Sequence, residues 1–168
     1  MDNKLLWLQV GRWWCVAIVI FLLDRLSKLW VEAELFTGQE VALTSFFDVT
    51  LRYNSGAAFS FLAEAGGWQV WFFSIIAFAV VIGITWRLCK ISLNNYWEAW
   101  FLTLILGGAI GNLYDRLAYG HVVDFIQFHW LNVFYFPAFN LADSSISLGV
   151  IVMLLESVFA KKMVDEAT

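Results

Sequence analysis

Residues 68–86 read WQVWFFSIIAFAVVIGITW, with no charged residue and a Trp at each end. A helix of about 20 mainly apolar residues crosses the hydrocarbon core of a bilayer, and Trp gathers at the two membrane interfaces. The segment therefore reads as a transmembrane helix, and it names the solvent in which the rest of the chain is to be read. Composition agrees: of 168 residues, 61% are hydrophobic and 14% charged, against roughly 45–50% and 25% in soluble domains. A soluble domain of this size keeps too large a surface fraction to hide that apolar excess. This argues against a soluble enzyme, a disordered chain and a disulfide scaffold. A net charge of −4 offers no basic face to nucleic acid.

Working outward from this span, three more segments have the length and apolarity of membrane helices: about residues 13–31, 96–114 and 139–159. The first is interrupted in its second half by Asp24, Arg25, Ser27 and Lys28. The expected fold class is membrane α-helical, one integral membrane domain over residues 1–168 with four transmembrane helices. Lys4 and Arg12 precede the first span, Arg87 and Lys90 lie between the second and third, and Lys161 and Lys162 follow the fourth. The excess of basic residues on one side predicts cytoplasmic termini and two long connections facing outward. No small-x-small pattern follows the apolar core of the first span, so it is expected to remain as an anchor. Cys15 and Cys89 fall near cytoplasmic span ends and are expected to be free, small apolar residues.

The outward connections carry a second period. Phe47 to Tyr53 alternates apolar and polar residues, as a half-buried strand does, and runs into the turn signal Asn54-Ser55-Gly56. Val122 to Phe128 and Val133 to Phe136 are rich in strand formers. A small extracytoplasmic β-sheet resting on the outer membrane face is expected. Pro137 stops the chain before the fourth span, and Asn140 suits the N-cap of the helix that follows.

On this topology the ionisable and amide side chains gather at one depth. Asp24 and Lys28 lie in the outer half of the first span. Asn112, Asp115 and Arg116 lie at the outer end of the third, and Asn140 and Asp143 at the outer start of the fourth. Asp124 lies in the second outer connection. Charge at membrane depth is costly and marks a functional site by default. Structural roles stand beside that reading. Asp24 and Lys28, four apart, can neutralise each other on one helix face. Asp143 can be a first-turn carboxylate favoured by the helix dipole. Asp124 sits between Val122-Val123 and Phe125-Ile126 with no adjacent cation, and a carboxyl in apolar surroundings holds its proton toward neutrality. Gly107 and Gly111 form a Gly-x-x-x-Gly pattern that admits a close neighbouring helix. Ser144, Ser145 and Ser147 read as helix-packing residues. His121 and His129 have no metal-ligand spacing, and no serine sits in a nucleophile elbow.

The motifs Asp24-x-x-x-Lys28, Asn54-Ser55-Gly56-Ala57-Ala58-Phe59, Gly107 to Arg116, Val122-Val123-Asp124-Phe125 and Phe139-Asn140-Leu141-Ala142-Asp143 together resemble the bacterial lipoprotein signal peptidases, signal peptidase II. They cover residues 24 to 143 in the family's order. The resemblance implies an intramembrane aspartic endopeptidase of the bacterial cytoplasmic (inner) membrane, with Asp124 and Asp143 as catalytic dyad. Asn54, Gly56, Asn112, Arg116, Asn140, Asp24, Lys28 and Asp115 would bind substrate or support the site. It implies as substrate a diacylglyceryl-modified prolipoprotein, cut just before the modified cysteine, within membrane lipid. No metal or organic cofactor is called for, and one chain supplies every motif, so a monomer is expected. The rival class is a proton-coupled transporter or channel subunit, which would need a polar path through the bilayer as well as a cluster at one interface.

Overall fold

The structure is a computed structural model that describes residues 3–56, 67–91, 95–131 and 133–165. The motif positions Ala57, Ala58 and Phe59 lie outside the described residues, as do the side chains of Lys4, Lys161 and Lys162. Four helices and four short strands follow the order α1 (Asn3–Glu34), β1 (Glu40–Ala42), β2 (Phe47–Asn54), α2 (Trp68–Leu88), α3 (Tyr96–Tyr119), β3 (Val122–Trp130), β4 (Phe134–Tyr135) and α4 (Leu141–Asp165).

At 1.5 Å per residue, the 21 residues of α2 reach about 31 Å, the thickness of a bilayer core. Both α2 and residues 141–158 of α4 are apolar enough to cross a membrane, with mean hydropathy 2.0 and 1.7. Only 17% of either stretch is buried inside the protein. Trp71, Ile75, Phe78, Ile82, Ile151 and Leu154 are all exposed, which suits a lipid solvent and not water. The other two helices are long enough to span, but they depart from expectation in extent. α1 begins at Asn3, ten residues before the expected span, and α3 runs on past Tyr114 through Asp115 and Arg116 to Tyr119. In α3 the continuation ends where Gly120 takes φ 75 and donates its N–H to the Arg116 carbonyl, a left-handed cap that glycine adopts without a Cβ penalty.

Packing fixes the direction of each helix. A Cβ on Gly107 would lie 2.8 Å from the Ala17 carbonyl oxygen, and one on Gly111 would lie 2.6 Å from Asp24 Oδ2. Both contacts advance together along the two chains, so α1 and α3 run parallel. Gly108 meets the first turn of α4 at Ala142, whereas Gly149 meets Phe101 and Ile105, so α4 runs antiparallel to α3. The Ser145 hydroxyl donates to the Leu104 carbonyl at 2.8 Å across the same seam, while Ser147, expected to pack as well, is exposed. Arg87 pairs with Glu98 at 2.5 Å, and Arg116 lies over Phe73, which sets α2 antiparallel to α3. The result is an up-down-up-down bundle. Trp13, Ala17, Leu88, Phe101, Ile105 and Leu106 fill its core toward the end that carries Arg12 and Arg87.

The sheet has the order β1-β2-β3-β4 and is antiparallel throughout. β1 was not expected, and β3 extends two residues beyond Phe128. β2 and β3 pair from Phe47↔Phe128 to Asn54↔Val122, with a register shift between Val49 and Arg52. Beyond the shift, Asn54 sits two pairs from Arg52↔Asp124, on the face of the sheet that carries Asp124.

Candidate active site

The site forms where the C-terminal parts of α1 and α3 and the start of α4 meet the end of the β2–β3 ladder. Its first layer is the start of α4. Asn140 is the N-cap: its Oδ1 accepts from the Asp143 N–H at 2.8 Å, and Asp143 Oδ2 accepts from the Asn140 N–H at 3.3 Å. This reciprocal arrangement is a capping box, here with Asp at the third helical position. A third helix-end donor, the Ala142 N–H, goes to Asp24 Oδ1 at 2.9 Å. Two carboxylates therefore lie on the positive end of the α4 dipole.

The second layer is a set of three asparagines, each with its amide oxygen held by the fold and its NH2 turned to a carboxylate. Asn54 Oδ1 accepts from the Gly56 N–H at 2.8 Å, leaving Nδ2 to donate to Asp124 Oδ2 at 2.9 Å. Asn140 gives its Nδ2 to Asp124 Oδ1 at 2.7 Å. Asn112 Oδ1 accepts from Lys28 Nζ and from Asn140 Nδ2, each at 3.3 Å, and its Nδ2 donates to Asp143 Oδ1 at 2.7 Å. An amide has one acceptor end and one donor end, so these partners decide which end each carboxylate meets. Gly56 supplies its N–H from φ 109, with a Cβ position 2.8 Å from the Phe73 ring. Only glycine fits both the left-handed backbone and the space.

Below these lies a closed charge cluster. Lys28 is wholly buried, and its Nζ lies 2.7 Å from Asp24 Oδ2 and 2.7 Å from Asp115 Oδ2. Asp115 Oδ1 takes Arg25 at 3.1 Å, and Arg25 also donates to the Tyr119 hydroxyl at 3.0 Å. Two carboxylates and two cations balance. Arg116 donates from Nη1 to the Asn112 carbonyl at 3.3 Å, and it lines a cavity of about 300 Å³ between Val70, Trp71 and Leu117. Every residue singled out from the sequence at this depth, namely Asp24, Lys28, Asn54, Gly56, Asn112, Asp115, Arg116, Asp124, Asn140 and Asp143, is thus found in one connected cluster. Sequence reasoning missed the part of Arg25, which only interrupts a span when read in one dimension.

Asp124 is 3% exposed, and Asp143 is half-buried. Burial pushes the Asp124 carboxyl up to about 7, and the negative charge of Asp143 adds to the rise, against the lowering by its hydrogen bonds from Asn54 and Asn140. The site thus offers one carboxyl that keeps a proton near neutrality beside another at a helix N-terminus. Among the described residues, no three His, Cys, Asp or Glu side chains are grouped so as to hold a metal ion.

Comparison with known proteins fits this geometry. A lipoprotein signal peptidase of Cellvibrio japonicus is 53% identical over 155 residues, covering 92% of this chain and 90% of the relative. One from Pseudomonas aeruginosa PAO1 is 47% identical over 162 residues, covering 95% and 96%. A bacterial membrane enzyme solved by the in meso method at 2.3 Å resolution superposes with a TM-score of 0.78 at 29% identity, over 90% of each chain. The family model for Signal peptidase (SPase) II matches residues 16–159, from the middle of α1 to the last turns of α4, and the chain belongs to that family of peptidases.

Proposed function

We propose that this chain is an intramembrane aspartic endopeptidase. It removes the signal peptide from prolipoproteins by cutting just before a diacylglyceryl-modified cysteine. The observation that carries the reading is Asn140: its Nδ2 bonds Asp124, and its backbone N–H and Oδ1 bond Asp143. One residue in hydrogen bond with both makes the two aspartates close neighbours, and close carboxyls share a proton.

In this mechanism the pair holds one proton at rest, carried on Asp124, whose burial favours the neutral form. Asp143 takes a proton from water as the water oxygen bonds to the peptide carbonyl carbon, and Asp124 gives its proton to the carbonyl oxygen. The tetrahedral diol then collapses. The C–N bond breaks, Asp143 passes its proton to the leaving cysteine nitrogen, and a diol hydroxyl returns one to Asp124. The products are a signal-peptide carboxylate and a lipoprotein with a free amine. Arg116, held by the Asn112 carbonyl, supplies a donor for substrate carbonyls.

All four helices span the inner membrane in this reading, α1 and α3 with their polar ends at the outer face. Arg12 and Arg87 lie at the opposite end of the bundle, Arg12 over Tyr96 and Arg87 on Glu98, as the positive-inside bias requires. A reporter fused after Thr168 is expected to be cytoplasmic, and a tag near Gly66 to be outside; protection from externally added protease reads both, and an external C-terminus refutes the orientation. The apolar core around Trp13, Phe101 and Leu106 at the inner end supports a peptidase over a transporter, since among the described residues it offers no polar path. One chain supplies every motif, which supports a monomer.

The test of function is the lipid. Acyl chains already in a bilayer gain little from moving to a protein wall, so the lipid acts by fixing the modified cysteine at the interface and the scissile bond at the dyad. Fixed geometry can supply a large share of a rate enhancement. The diacylglyceryl precursor is expected to be cleaved, and the same precursor with a free cysteine not, at equal concentration in one detergent. A ratio of initial rates near one would leave a general intramembrane peptidase in place of a lipoprotein-specific one.

A further inference from the structure

The sheet is inside out for a protein in water. An exposed antiparallel sheet normally turns its polar face to solvent. At the far end of β3 the opposite holds: Gln127 and His129 are buried, while Phe128 and Trp130 are exposed. On β2, Asp48 opposite Gln127 is buried too, with its Oδ1 3.3 Å from His129 Nε2. Asp124 lies further along the same strand, beyond the irregularity at which the N–H groups of Phe125 and Ile126 both reach the Phe139 carbonyl. From Phe125 to Asn140 the chain has no Asp, Glu, Lys or Arg.

This face ends in a hairpin that withholds nothing from its surroundings. Trp130 is 70% exposed, Leu131 75%, Val133 86% and Phe134 63%. Leu131 takes φ 51 at the turn, the one non-glycine residue with positive φ among those described. Behind the tip, Phe46, Phe128, Trp130, Phe134, Phe136 and Phe139 line an almost wholly apolar cleft of about 460 Å³. The chain leaves the cleft through Pro137 and Phe139 straight into the N-cap of α4, and Phe139 bridges Ile126. The cleft is therefore tied to the level at which α4 begins, and it is continuous with a helix whose outer surface is apolar.

We propose that the described hairpin residues 130–131 and 133–136 and the aromatic face behind them are seated among the acyl chains of the outer leaflet, as a lipid anchor separate from the spanning helices. The absence of any charge over residues 125–140 and the exposed tip favour bilayer lipid over a protein partner, whose docking face would carry a polar rim. The anchor holds β3, and with it Asp124, at a set depth relative to the membrane. It rests on the membrane placement given above and is tested without using peptidase activity, so that either can fail alone.

The test labels Val133→Cys with an environment-sensitive fluorophore, in a Cys15→Ser, Cys89→Ser background, in phosphatidylethanolamine–phosphatidylglycerol nanodiscs. Glu40→Cys, on the same sheet but on exposed β1, is the aqueous control. Interfacial apolar elements sit roughly 5–10 Å below the headgroup boundary, so nitroxides near the top of the acyl chains are expected to remove more than about half of the emission at 133 and little at 40. Emission at 133 is also expected to be blue-shifted and resistant to aqueous iodide. Iodide quenching at 133 equal to that at 40, with no effect of nitroxide lipid, would overturn the proposal.

Discussion

Asp124→Asn and Asp143→Asn are each expected to abolish turnover of a lipidated precursor while leaving the protein inserted and folded. Losing one general acid–base group costs about 10²–10⁴-fold, and here the loss also removes the shared proton. Folding should survive, because an Asn at 124 still accepts from Asn54 or Asn140 through its oxygen, and an Asn at 143 can still accept the Asn140 N–H at the helix start. The wild-type pH profile is the second arm. With Asp124 held up to about 7, the acid is present below that pH and lost above it. Rates are expected to fall as pH rises through about 7, with an apparent value that belongs to the pair. Near-normal turnover by Asp124→Asn, or a rate indifferent to pH between about 5 and 9 (about two units either side of the midpoint), would remove the dyad.

How much of this could be read before the structure differs by element, for physical reasons. β2 was legible as a strand because Phe47 to Tyr53 alternates apolar and polar residues, and its expected end at Asn54 is the observed one to within a residue, but its buried face was not, since the polar Asp48 and Thr50 are buried. Asn140 as N-cap was legible because cap chemistry is local. β1 was not: Glu-Val-Ala is three exposed residues with no face to pattern, held to β2 by its ladder and by the Arg52–Glu40 pair at 2.6 Å. The depth at which polar groups gather was legible from topology, since span directions alone bring Asp24, Asp115 and Asp143 to one interface. Their individual bonds were not. Arg25 meets Asp115 across 90 residues of chain, and nothing in either local sequence distinguishes Arg25 from an ordinary interfacial arginine. The same holds for Asn112, whose two ends are assigned by Lys28, Asn140 and Asp143 on other helices. Sequence periodicity carries the kind of element, but which face of the sheet is buried, and the partner that a polar group finds, are set by packing.

Lys28→Met is expected to be the most destabilising single change in the bundle. Lys28 Nζ has three donors, and three acceptors surround it: Asp24, Asp115 and Asn112. Methionine fills the stem but leaves two buried carboxylates with Arg25 as their remaining cation. Breaking a buried pair from one side costs about 3–5 kcal/mol, because the surviving charge stays uncompensated. Removing a charge from both sides should cost less. In Asp24→Asn with Lys28→Met, Arg25 and Asp115 remain as a neutral pair, and an Asn at 24 can still accept from the Ala142 N–H. Thermal unfolding in detergent is the measurement. The double variant is expected to be more stable than Lys28→Met alone, with a coupling of about 0.5–3 kcal/mol. Strict additivity would mean that Asp24 and Lys28 do not compensate each other. Activity separates a second effect. Without Lys28, Asn112 Oδ1 keeps only the donor from Asn140, so its amide is freer to turn its oxygen toward Asp143. The double variant should therefore regain stability without regaining full turnover, whereas full recovery of both would limit Lys28 to charge balance.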